Sequence, residues 1–69
     1  MQDFLFQLVN GSEVVETEKE PLETLDEAAE LARKIAEELR SEGWVDDEEP
    51  VQLAVLDDAG LELFRLRVS

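Results

Sequence analysis

Two β-hairpin signals on either side of one helical segment restrict the fold of this 69-residue chain more than any other feature. Asn10-Gly11 follows an alternating apolar stretch, and this dipeptide is the strongest short signal for a hairpin. Residues 57–60, Asp-Asp-Ala-Gly, separate two further apolar stretches and have the composition of a second turn. The order hairpin, helix, hairpin in a single domain, residues 1–69, is therefore predicted.

The alternation of side chains assigns the two faces of the first hairpin. Successive residues of a strand point to opposite sides of the sheet, so the bulkier set in residues 3–9 is expected in the core. That set is Phe4, Phe6 and Leu8, and the opposite set is Leu5, Gln7 and Val9. The return strand is predicted over 13–17, and Pro21 is expected to end it because proline has no N–H for the ladder.

A single helix is predicted over about residues 25–42, from the spacing of apolar residues. Thr24 and Glu27 fit a capping box at its start, in which each side chain accepts from the other residue's amide. Gly43 fits a left-handed ending, with Trp44 packed on Leu39. The helical stripe that should lie on the sheet consists of Ala28, Ala32, Ile35 and Leu39, flanked by Leu25, Leu31 and Ala36.

The second hairpin is predicted to place Val51, Leu53 and Val55 in the core with Phe64, Leu66 and Val68. The resulting fold class is α+β, a two-layer ββαββ domain with a four-stranded, mostly antiparallel sheet covered on one face by the helix. The strand order 2-1-3-4 is favoured because Arg65 and Arg67 suit an edge strand. The β-grasp order 2-1-4-3 is the alternative.

The composition excludes several classes of function. The chain has 19 acidic and 6 basic residues, a formal charge of −13, which repels nucleic acid and anionic membranes. Three interpretations of this charge stay open: solubility, adaptation to high salt, and an acidic surface for a basic partner. Because His and Cys are absent, the usual catalytic groups cannot be assembled, and we expect no enzyme activity, no cofactor and no metal site. A cytoplasmic location is expected, since no apolar run reaches the length of a membrane span.

The sheet face opposite the helix is the predicted interface. One helix covers one face, yet the other face carries more apolar residues than a solvated sheet normally does. The candidate interface residues are Leu5, Gln7, Val9, Ala54, Leu56 and Leu63. The sequence thus favours a small acidic protein-interaction module, with a homodimer through the open sheet face as one form. The alternative is an acidic antitoxin-like or nucleic-acid-mimic protein that binds a basic protein partner.

The chain also resembles a family of short, uncharacterised bacterial domains of unknown function, which commonly open M-P-x-Y-F-F-H-L. The corresponding residues 1–8 are Met-Gln-Asp-Phe-Leu-Phe-Gln-Leu. Further matching stretches are residues 10–15 in the first turn, 22–29 at the helix start and 53–60 in the last hairpin. Because the shared positions are core and turn residues, the resemblance implies the hairpin–helix–hairpin fold and implies no activity.

Overall fold

The computed structural model of the chain describes residues 2–43 and 50–68. Its four strands form one antiparallel sheet in the order β2-β1-β3-β4. The predicted α+β fold and the order 2-1-3-4 are therefore confirmed, and the β-grasp alternative is wrong. In chain order, the elements are β1 (Gln2–Asn10), β2 (Glu13–Leu22), α1 (Leu25–Ser41), β3 (Val51–Leu56) and β4 (Glu62–Arg67).

The first return strand is longer than the sequence predicts. We expect it to end near Thr17, but β2 continues to Leu22, with Pro21 opposite Asp3 on β1. Since β2 is an edge strand, its outward N–H groups have no ladder partner, and proline is tolerated there. The register shifts once, at a β-bulge opposite Leu8 and Val9.

Both ends of α1 follow the predicted capping pattern, with one difference at the start. The Thr24 hydroxyl accepts from the Glu27 N–H at 3.2 Å, while the Glu27 carboxylate accepts from the Glu23 N–H at 3.4 Å, not from Thr24. At the other end, Gly43 has φ +86°, and its N–H donates to the Arg40 carbonyl at 3.1 Å. This bond is one of the two in a Schellman ending. The predicted packing of Trp44 lies outside the described residues.

The hydrophobic core lies between α1 and one face of the sheet. The helix contributes Ala28, Ala32 and Ala36, one turn apart, and these small side chains let the helix approach the sheet closely. The predicted stripe is therefore partly wrong, because Ile35 and Leu39 are only partly buried beside the core, whereas Ala36 is buried in it. The sheet contributes Phe4, Phe6, Leu8, Val51, Leu53, Val55 and Val68.

A polar link joins the end of α1 to the end of β4. The Arg40 Nε donates to the Val68 carbonyl at 2.7 Å, and its Nη2 donates to the Arg67 carbonyl at 3.0 Å. The Val68 N–H in turn donates to the Val51 carbonyl at 2.8 Å. Arg40 thus ties the layers together at the end of the sheet where β3 begins.

Candidate interaction surface

The face of the sheet opposite α1, called the open face below, carries the predicted interface. Its residues alternate along β1 and β3 with the residues of the core. Five of the six predicted residues lie at positions on this face, and Leu63 lies beside them at a β-bulge of β4. The five are Leu5, Gln7, Val9, Ala54 and Leu56.

Two of the predicted residues are already covered by their own chain. Val9 is 6% exposed and Ala54 is 1% exposed, although neither belongs to the core under the helix. Ala54 lies in register between Gln7 and Arg65, and those long side chains shield it. The open face therefore offers its leucines to a partner, and at its other end Val14, which is opposite Val9 and 49% exposed.

The leucines form a patch near the turn between β3 and β4. Leu5 is opposite Leu56, both are half-buried, and Leu63 is 36% exposed. Leu61, which the sequence analysis left out of the interface, is 64% exposed. Its backbone is fixed by Asp57, whose Oδ1 accepts from the Leu61 N–H at 2.8 Å.

The open face carries nearly equal numbers of basic and acidic side chains, although the chain as a whole is strongly acidic. Among the described residues, three basic side chains lie at its register positions, and two carboxylates accompany them. Arg65 donates to Gln52 Oε1 at 2.9 Å and to Glu62 Oε1 at 3.2 Å, while Lys19 lies 3.7 Å from the Asp3 carboxylate. The third basic residue, Arg67, is opposite Gln52.

A second surface, which the sequence analysis missed, is an acidic groove between β2 and α1. Its apolar floor is formed by Phe6, Leu8, Ile35 and Leu39, and it encloses about 170 Å³. Its rim consists of Glu16, Glu18, Glu38 and Glu42. The signal in the sequence is the run of glutamates at alternate positions of β2, on the side of the sheet where Phe6 and Leu8 enter the core.

The part of the chain that the structure describes contains no group of three acidic side chains arranged to hold a metal ion. The acidic connector, residues 46–49, lies outside that part. Within residues 2–43 and 50–68, α1 is too short and too polar to cross a membrane.

The family assignment rests on nearly the whole chain. The model of DUF6894, a domain of unknown function, matches residues 4–69. The chain belongs to this family. The resemblance to a family of uncharacterised domains is thereby confirmed. No curated protein and no solved structure matches the chain.

Proposed function

We propose that this DUF6894 domain is a non-enzymatic protein-interaction module that self-associates through the open face of its sheet. The observation that carries the proposal is the pair of half-buried leucines, Leu5 and Leu56, side by side on a sheet face that no element of the described chain covers. Apolar groups exposed together on a sheet mark an interface more often than a solvated surface.

Charge favours a second copy of the chain as the occupant of this face. With a formal charge of −13, two copies repel each other over most of their surfaces. The open face holds Lys19, Arg65 and Arg67 against Asp3 and Glu62, so contact there costs the least electrostatic free energy. A symmetric dimer also places the same leucine patch on both sides of the contact, as an isologous interface requires.

The size of the face predicts a weak dimer. Four strands about 4.8 Å apart, with about six residues each rising about 3.3 Å, span roughly 400 Å² of projected sheet. Stable interfaces bury about 800 Å² on each partner. We therefore expect a dissociation constant in the micromolar range or above, with Leu63 at the bulge of β4 and Leu61 just before that strand adding to the contact.

Sedimentation equilibrium of matched leucine variants tests the proposal. Leu63→Thr removes an exposed leucine beside the open face, and Leu25→Thr removes one that is 50% exposed at the start of the helix. Both variants keep the charge of −13. Leu63→Thr should weaken the dimer about tenfold, as expected for losing one buried leucine contact, and Leu25→Thr should leave it unchanged.

The double variant Leu5→Thr, Leu56→Thr should be monomeric at all concentrations while unfolding as a cooperative unit. If wild type and Leu63→Thr are equally monomeric up to millimolar concentration in about 1 M NaCl, where charge repulsion is screened, self-association through this face is wrong. The same conclusion holds if Leu25→Thr weakens a dimer as much as Leu63→Thr does.

A further inference from the structure

We propose that the acidic groove between β2 and α1 binds a cationic protein segment that carries one apolar side chain between basic residues. This site is separate from the open face, because it lies on the helix side of the sheet. A partner bound there would leave the open face free for the dimer.

The groove is built from two elements that present the same pattern. On α1, Ile35, Glu38, Leu39 and Glu42 lie at spacings of three and four residues, so they share one face of the helix. On the sheet, Phe6 and Leu8 of β1 are directly opposite Glu18 and Glu16 of the edge strand β2. Each wall therefore combines an apolar base with two carboxylates above it.

The four carboxylates form no ion pair within the described residues. The ion pairs of Lys19 with Asp3 and of Arg65 with Glu62 both lie away from the groove. Lys34 lies on the outer side of Glu38, in a shallow depression that it shares with Glu42, but is not ion-paired to either. Glu38 and Glu42 lie one helical turn apart, and like charges at this spacing destabilise a helix. A cationic ligand would therefore relieve a repulsion that no ion pair of the described residues offsets.

The chemistry of the ligand follows from the spacing and the floor. The carboxylates surround the groove and do not converge, and the described residues hold no cluster fit for a metal ion. They therefore suit positive charges that are spread along a chain. The groove is open to solvent, and its volume of about 170 Å³ is close to that of a cavity of about 150 Å³ that accommodates benzene in another protein. One leucine-sized side chain fits this space.

A titration with short peptides, followed by amide chemical shifts of the full chain, tests the proposal. The probe is the blocked peptide Lys-Lys-Leu-Lys-Lys, and its matched control replaces the leucine by serine. The leucine peptide should shift amides of β2 and α1 that line the groove, including Glu18 and Leu39. The serine peptide should bind about tenfold more weakly, since it loses one apolar contact.

Two charge variants with the same net charge provide the second arm. Glu18→Gln with Glu38→Gln removes half of the rim, and Glu13→Gln with Glu30→Gln removes two exposed carboxylates elsewhere. The rim variant should bind the leucine peptide about fivefold more weakly than wild type, and the other variant less than twofold more weakly.

Four results would overturn the proposal. The first is equal binding of the leucine and serine peptides, because it would mean that long-range attraction alone operates. The second is a set of amide shifts that spread over the whole surface or fall on the open face. The third is an equal loss of affinity in both charge variants. The fourth is that no peptide binds at millimolar concentration.

Discussion

Replacement of Arg40 by methionine should lower the free energy of unfolding by about 2 kcal/mol. Arg40 donates to the Val68 and Arg67 carbonyls at 2.7 and 3.0 Å, and a hydrogen bond from a charged group contributes about 1.5–3 kcal/mol. The bond to Val68 is half-buried and the bond to Arg67 is exposed, so hydrogen bonds to water offset part of the free energy that the two bonds contribute. Methionine keeps the packing of the apolar stem but donates nothing.

Arg33→Met is the matched control. Arg33 lies on the same helix and is exposed, and its side chain forms no hydrogen bond or ion pair within the described residues. The substitution changes the net charge by the same amount. Urea denaturation should show the loss for Arg40→Met alone, and thermal unfolding should show a midpoint roughly 8–16 °C lower for a domain of this size. Arg40→Lys should lie between, since lysine lacks the planar fork. If Arg40→Met and Arg33→Met agree within about 0.5 kcal/mol, the link between helix and sheet does not stabilise the fold.

Two further predictions concern charge and the helix end. The melting temperature should rise between about 0.1 M and about 1 M NaCl, because the screening length falls from about 10 Å to about 3 Å in a chain with a radius of gyration of 11.6 Å. The melting temperature of the Glu13→Gln, Glu30→Gln variant should rise less. A fall in the melting temperature of the wild type would contradict charge self-repulsion. Gly43→Ala should lower the free energy of unfolding by about 1 kcal/mol, because alanine is strained at φ +86° even though no described residue beyond its chain neighbours comes within 4 Å of the added Cβ. An unchanged urea midpoint would refute this.

The elements of the fold were predictable where their signals are local. Alternation in β1 placed Phe4 and Phe6 in the core, and the Thr24 cap and the Gly43 ending depend only on residues three or four positions away. The order 2-1-3-4 followed from the arginines of β4, which suit an edge strand.

The wrong or missing predictions share a dependence on tertiary context. Pro21 is a strand breaker by itself, but it is harmless at the edge that β2 occupies. Ala36 and Ile35 are both apolar and adjacent, and only the path of the helix over the sheet decides that Ala36 is buried while Ile35 is partly exposed. The link from Arg40 to Val68 joins residues 28 positions apart, and neither residue type indicates in the sequence which residue it will contact.

For the candidate sites, too, the local signals were predictable and the features that depend on tertiary context were not. Alternation placed Leu5 and Leu56 on the open face, but the burial of Ala54 depends on the register of two neighbouring strands. The acidic groove requires the pairing of β2 with β1 and the direction of α1, so Glu18 and Glu38 meet only in three dimensions.

Amide chemical shifts of the wild-type chain, followed on dilution from about 1 mM to about 10 µM, test the central claim most directly, because this range spans the expected weak dissociation constant. Self-association through the open face should produce concentration-dependent shifts at Leu5, Leu56 and Leu63 and constant shifts along the acidic groove. Shifts that stay constant everywhere, or that change only in the groove, would contradict self-association through the open face of the sheet.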